Sequence, residues 1–535
     1  MSAPPGLYER VLAAAGGAAP EPKPARPSAA VVPWRRAQGA DGELEVYWLE
    51  RGREMPFMAG WHAFPGGGLD RADAGLPVAG EPRHPRPATP TPPEADGVPP
   101  ADLDLIEGLA ACALRELFEE TGLLVVHGEP PARLDDLRRD LLARRTSFAG
   151  ILAQHRLALD TGRLVFAGRW RTPPFAPVRF DNRFFLLEHR AADGEPEVAP
   201  PESESGEWIA PAAALARLRR GREMTAPPIV HILRVLAEEA PEAATARLLD
   251  TAEANLGPLR RIELRPGILL FPLRAATLPP ASHTNVMLVG HADAVLVDPG
   301  SPFPAENARL VAALDAARER LGRRPTEIWL THHHPDHVGG VEELRRALGV
   351  PVAAHAATAE RLADTGIAID RLLAGDERVT LGGATPTRLR LHHTPGHARG
   401  HLAIELEDAG DLVGGDLVAG FGTVVIDPPE GDLDDYLASL AAMRGRGFRT
   451  LFPAHGAPVL DVDAKLTETL EHRHERERQV LAAWSRGLRT PAALVPEVYA
   501  EVPAAVRPLA ERQALAHLER LHRRGAIDGP PPVER

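Results

Sequence analysis

Residues 331–340 read T331HHHPDHVGG340, directly after the apolar run T326EIWL330. In an extended segment successive side chains alternate sides, so His332, His334 and Asp336 are aimed the same way. His337 follows at the start of a helix-like stretch, V338GGVEELRRAL348. Three further candidates each close a short apolar run: His397 in T394PGH397, Asp416 in L412VGGD416 and His455 in F452PAHG456. Strand ends are where a layered α/β fold gathers side chains from distant parts of the chain into one crevice. An isolated loop histidine needs no metal, but this recurrence argues for one. Imidazoles and carboxylates without thiols suit zinc or another borderline divalent ion, and their number suggests two metals. His333, between ligands, is expected to point the other way and to pack. His355 and His401 are assigned structural roles.

These motifs, with D298PG300 before them, resemble the metallo-β-lactamase family of hydrolases over roughly residues 257–463. The resemblance implies an αβ/βα sandwich. It also implies one ion held by His332, His334 and His397, a second held by Asp336, His337 and His455, and Asp416 bridging them. Two zinc ions are expected, with iron or manganese as substitutes. Asp298 would anchor the metal-site loops, and Asp336 would also take a catalytic part. Two divalent ions ~3.5–4 Å apart activate water and polarise the scissile group, so no serine or cysteine nucleophile is needed.

The first half carries R115ELFEETGL123. Glu116, Glu119 and Glu120 are spaced i, i+3, i+4 and share one helix face, where three carboxylates repel unless a cation sits among them. Hard oxygen donors favour Mg²⁺ or Mn²⁺. Taken alone, such a motif is usually an ordinary acidic helix. Its context, with Glu107 upstream and F57MAGWHAFPGGGLD70 before it, resembles the Nudix box, and residues 28–243 resemble an acyl-CoA diphosphatase-like Nudix subgroup. That implies a Nudix α/β/α sandwich and Mg-dependent pyrophosphate cleavage. Glu116, Glu119 and Glu120 would hold the metal and supply the base, with Arg115 and Glu107 in support. Gly66 and Gly67 would let the backbone approach the substrate. The pattern departs from the family at Ala101, where a glycine is expected, and at a Pro-rich insertion over residues 70–101.

The tail, E471HRHERERQVLAAWSRGLRTPAALVPEVY499 and onward, resembles the winged helix of a lactamase-like subgroup that includes endoribonucleases. Its acids and bases nearly balance, so its charged residues are read as a solvated face. The chain is thus expected to be multidomain α/β: a flexible tail 1–27, a Nudix-like domain 28–243, a connector 244–256, a metallo-β-lactamase-like domain 257–463 and a small winged-helix segment 464–535.

Composition sets the outer bounds. The 535 residues exceed a single core. The formal charge of −13 opposes indiscriminate polyanion binding, although a local RNA groove stays open as an alternative. A single cysteine, Cys112, excludes an internal disulfide and fits a cytoplasmic location. Neither a signal peptide nor an apolar run long enough to span a membrane is seen. The expected substrate is a small molecule, a CoA ester or nucleotide derivative. The expected activity is bifunctional: hydrolysis of an ester, thioester or phosphodiester in one domain and pyrophosphate cleavage in the other. The alternatives are a single-strand endoribonuclease gripping RNA through its winged helix, and a metallo-hydrolase regulated by a non-catalytic nucleotide-binding domain.

Overall fold

The computed structural model describes residues 24–37, 42–52, 55, 58, 60–84, 104–172, 178–198, 200–221, 223–250, 255–256, 258–279, 281–502 and 506–528. The chain divides into two compact units at Pro266–Gly267.

The unit ending at Pro266 is built on a mixed sheet. Its central strand, Arg26–Arg36, pairs in parallel with Phe180–Glu188, placing Val31 beside Phe185, and antiparallel with Leu44–Arg51, placing Trp34 beside Val46. Strand Ser203–Ile209 flanks Leu44–Arg51, and strand Leu164–Arg171 flanks Phe180–Glu188. The period-two alternation divides the central strand between two cores. Ala29 and Val31 pack with helix Asp104–Thr121, including Leu114, Leu117 and Phe118. Ala30, Val32 and Trp34 pack on the opposite face with Leu215, Ile232 and Leu233, from helices Pro211–Arg219 and Pro227–Glu238. The sheet therefore has helices on both sides. Helix Asp104–Thr121 ends where Gly122 takes φ +75°, the usual left-handed stop.

The front of the Pro-rich insertion, residues 70–84, is folded into the unit. Val78–Ala79 pairs in parallel with Ala158–Asp160, and Asp73 is buried. Composition missed this because the stabilising partners lie ~80 residues onward. Residues 85–103, with Ala101, lie outside the described set, as do the first 23 residues and the side chain of Glu107.

The unit from Gly267 holds two sheets. In the first, Ile268–Arg274, His283–Val289 and Asp293–Val297 run antiparallel, and Arg324–Leu330, Val352–His355 and Arg371–Leu373 continue in parallel. The second runs Arg378–Leu381, Thr387–His393, Leu402–Leu406, Asp411–Gly415, Thr450–Pro453, with only the last pair parallel. The sheets join beside the histidine-rich turn: Leu402 N–H donates to the Thr331 carbonyl at 2.9 Å, and Asn285 N–H to the Ala454 carbonyl at 2.8 Å. Helices Val462–Ser485, Pro491–Val498 and Arg507–Arg523 follow, packed through Val480, Trp484, Leu494, Val495 and Leu518. Leu466, Leu470 and Ala516 from these helices enter the core of the second sheet.

Here the reading of the tail as a solvated face fails in part. Arg473 and Arg520 are each 3% exposed. Arg473 falls on the helical stripe of Leu466 and Leu470, one turn further on, so its position in the pattern overrides its charge.

Candidate metal centre

Four strand ends deliver the second unit's candidate ligands. His332 and His334 follow Arg324–Leu330, His397 follows Thr387–His393, Asp416 follows Asp411–Gly415 and His455 follows Thr450–Pro453. Pro335 opens a one-turn helix carrying Asp336 and His337. The turn is tight against its neighbour: a Cβ on Gly300 would lie 1.7 Å from the Asp336 carbonyl oxygen, so only glycine fits there.

His332 Nε2, His334 Nδ1 and His397 Nε2 stand 2.9 to 3.2 Å apart. The other faces of the rings settle their tautomers. Thr331 Oγ1 donates to Asp298 Oδ2 at 2.7 Å and so accepts from His332 Nδ1–H at 3.0 Å. His397 Nδ1–H donates to the Val425 carbonyl at 2.7 Å. Both inner Nε2 atoms therefore present lone pairs, which cannot hydrogen-bond to each other. Burial holds His332 and His334 well below the ordinary histidine pKa, reinforced by the neighbouring imidazoles. Converging nitrogen lone pairs of this kind suit a cation.

A second group adjoins the first. Asp336, His337 and His455 bring one ligand atom each within 4.8 Å of one another. Asp416 reaches both groups, with Oδ2 3.3 Å from His397 Nε2 and Oδ1 3.5 Å from His455 Nε2. Two polar atoms here, His337 Nε2 and Asp416 Oδ1, are buried without a hydrogen-bond partner. Burial opposes charge on His337, but the carboxylates of Asp298, Asp416 and Asp336 outweigh it and hold its pKa well above normal. Burial likewise opposes ionisation of Asp336 and Asp416, and His337 and His455 outweigh it, keeping both acids ionised.

The outer residues fix these rings. Asp298, at φ +51°, accepts Thr331 N–H at 2.8 Å and His337 Nδ1–H at 2.8 Å. His455 Nδ1–H donates to the His283 carbonyl at 3.1 Å. His401 Nε2 accepts Asp416 N–H at 3.0 Å while its Nδ1–H reaches Thr394 Oγ1 at 2.8 Å. His333 belongs to none of the ligand groups, and its Nδ1 is buried without a hydrogen-bond partner. His355 stacks on His393 with centroids 4.3 Å apart. The sequence reading missed the backbone acceptors Val425 and His283, because a carbonyl leaves no residue-type signal.

The first unit places Glu116, Glu119 and Glu120 on helix Asp104–Thr121, beside the glycine strand Gly66–Gly68. Gly66 N–H donates to Glu120 Oε2 at 2.9 Å. A Cβ on Gly67 would fall 2.5 Å from the Glu116 carboxyl carbon, so a larger residue there would displace that carboxyl. Arg115 reaches Glu116 at 2.8 Å and Glu119 at 3.1 Å, and grips Asp73 at 2.7 and 3.0 Å. Burial pushes Glu116 up to about 7 and Glu120 up to about 8, and also raises Glu119. Among the described residues these three carboxylates do not close to 4.8 Å as the histidine groups do. Glu202 adds negative potential to all three. Neither Asp73 nor Glu202 carried a sequence signal, since both act across the fold.

Comparison with known proteins follows this geometry. The family model of the Metallo-beta-lactamase superfamily matches residues 279–455, and that of the Beta-lactamase associated winged helix domain matches residues 490–528. The chain is 31% identical over 250 residues to a "Beta-lactamase-like protein 2 homolog" of Caenorhabditis elegans, spanning 46% of this chain and 81% of the relative. An "Atrochrysone carboxyl ACP thioesterase" of Aspergillus chevalieri is 32% identical over 240 residues, 41% of this chain and 69% of that protein. A NUDIX hydrolase structure from Alicyclobacillus acidocaldarius covers 42% of this chain and 95% of its own, at 31% identity and TM-score 0.34.

Proposed function

The chain belongs to the metallo-β-lactamase superfamily of hydrolases, and on that premise we propose that its Gly267–Arg535 unit hydrolyses a thioester. The observation that carries this is the pair of buried ligand groups sharing Asp416. His332, His334 and His397 would hold one divalent ion and Asp336, His337 and His455 another. Zinc suits the donors best, with iron or manganese as substitutes. Bound there, the metal supplies a water acidified toward neutral pH and polarises a carbonyl. The protein does the positioning. Asp298 and Thr331 hold two rings, and His401 holds the Asp416 backbone. Asp336, kept ionised, accepts a proton or hydrogen bond rather than donating one. The only thiol in the chain, Cys112, lies outside this unit. The name of the Aspergillus chevalieri relative favours a thioester over a phosphodiester, and an acyl-CoA is the small-molecule form we adopt. Among the described residues no helix is long and apolar enough to cross a membrane, and we place the protein in the cytoplasm.

For the first unit we propose a Nudix-type site that cleaves the pyrophosphate of the same CoA ester. The supporting observation is the glycine strand laid against Glu120 and Glu116, whose protons are held into the neutral range, with the Glu119 pKa raised beside them. Such groups bind Mg²⁺ by giving up a proton as pH rises, and one of them can act as a base near neutrality. Arg115 orients Glu116 and Glu119.

Both proposals are tested in one experiment. The protein is incubated with zinc, magnesium and an acyl-CoA panel, and products are identified by mass spectrometry. Free CoA absent with Asp336→Ala assigns thioester cleavage to the second unit. Acyl-phosphopantetheine absent with Glu119→Gln assigns pyrophosphate cleavage to the first. Intact acyl-CoA throughout, with a labelled RNA cut instead, rejects the CoA reading in favour of the endoribonuclease alternative.

A further inference from the structure

The segment between Asp416 and helix Leu433–Met443 lies against the metal centre on one side and the C-terminal helices on the other. On the metal side, the Val425 carbonyl accepts His397 Nδ1–H at 2.7 Å and thereby sets both the tautomer and the rotation of that ring. The preceding carbonyl, Val424, is taken from the other side by two side chains. Arg473 Nη2, on helix Val462–Ser485, donates to it at 2.6 Å, and Gln513 Nε2, on helix Arg507–Arg523, donates at 3.1 Å. Arg473 Nη1 also donates to Gln513 Oε1 at 2.8 Å, so the three groups close a ring of hydrogen bonds. Arg473 and Gln513 are 3% and 7% exposed, which makes these bonds costly to lose and their geometry firm.

The hold is wider than one carbonyl. Arg512 grips the Asp427 carboxylate and the Pro428 carbonyl. The Arg473 guanidinium lies over the Tyr436 ring at 5.5 Å, and Tyr436 Oη–H donates to the Leu417 carbonyl, one residue past Asp416, at 2.9 Å. Tyr436 also fills the space beside Gly396, where a Cβ would lie 2.2 Å from the Tyr436 backbone. Both neighbours of the shared site, His397 and Asp416, are therefore approached through groups that the C-terminal helices fix.

We propose that the C-terminal helices are a positioning element of the metal centre, with Arg473 and Gln513 fixing the Val424 carbonyl and, through the adjoining Val425 carbonyl, the ring of His397. Outer-shell partners of metal-bound histidines tune affinity because they orient the ring and raise its basicity. Arg473 and Gln513 act one bond further out and are positioning residues. The inference rests on the metal reading of the histidine cluster.

The test is zinc affinity of the full-length protein, stripped of metal and titrated against a chromophoric chelator, with melting of each metal-free variant recorded alongside. Arg473→Met and the near-isosteric Gln513→Leu should each weaken zinc binding about 10-fold, and Arg473→Lys should recover part of the loss. Leu518→Val, in the core of the same helices but away from Val424, should lower the melting temperature and leave affinity unchanged. Wild-type affinity in both Arg473→Met and Gln513→Leu overturns the proposal, as does an equal loss in Leu518→Val. Failure of the wild type itself to bind zinc rejects the metal reading together with the inference, which separates the two.

Discussion

The histidine-rich cluster and the glutamate cluster solve opposite electrostatic problems. In the Gly267–Arg535 unit, imidazoles and carboxylates arrive from four strand ends and interleave, so His337 and His455 keep Asp336 and Asp416 ionised despite their burial. In the other unit, three like-charged groups come from adjacent turns of a single helix, where Arg115 offsets Glu116 and Glu119 while Arg51 and the Gly66 N–H offset Glu120. In each group of the mixed cluster the ligand atoms lie within 4.8 Å of one another. The uniform one stays open and holds protons instead, with Glu116 and Glu120 shifted to about 7 and about 8. Assembly of a site from distant elements costs chain entropy but yields a preformed charge balance. Assembly on one helix is local, and its charge is balanced only when a cation or proton arrives.

The comparison is broken most directly at the mixed cluster. Replacing Asp416 by alanine removes the group shared by both ligand sets and should cut thioester hydrolysis by ~10³-fold, about 4 kcal/mol of transition-state stabilisation, in initial-rate assays. An Asp416→Ala enzyme with near-normal rate would show that the two groups work independently. Next comes Asp298→Asn, which exchanges one acceptor of Thr331 and His337 for an amide donor. Zinc affinity should fall about 10–100-fold in chelator competition.

The uniform cluster makes a pH prediction. The folded pKa of Glu120 is raised above its unfolded value, so the folded state binds the proton more tightly. Its contribution is fully present below the ordinary glutamate pKa of about 4.5 and is lost as pH rises through about 8. In metal-free protein, Glu120→Gln should therefore melt ~2–4 °C above wild type at pH 9 and gain nothing at pH 4.5, read by calorimetry. Equal shifts at both pH values would mean that the side chain acts through packing alone. The smallest effect concerns Cys112 beside this cluster, a thiol buried and pushed up in pKa. Native protein at pH 8 should resist iodoacetamide over an hour in which urea-unfolded protein reacts completely.

The clustering of these side chains was legible because they carry residue-type signals at positions with a simple geometric meaning: His332, His334 and Asp336 at period two, and His397, Asp416 and His455 at the ends of apolar runs. Arg473 was not, because an arginine in a charged helix looks solvated until the sheet beneath it is known. Asp73 was hidden inside a Pro-rich stretch whose order depends on Ala158–Asp160. Backbone acceptors such as Val425 are invisible to any reading of residue types, which is why the link from the C-terminal helices to His397 emerged only in three dimensions.

The parallel pairing of Arg26–Arg36 with Phe180–Glu188 also bears on how the chain is made. The central strand leaves the ribosome early, yet its longest ladder can close only when residues about 150 positions later have followed it. At 5–20 residues per second, Val31 and its apolar neighbours wait on the order of ten seconds with that edge unpaired. Throughout that interval the strand edge stays open to other chains, and slowing translation before residue 188 should lengthen its exposure and increase aggregation.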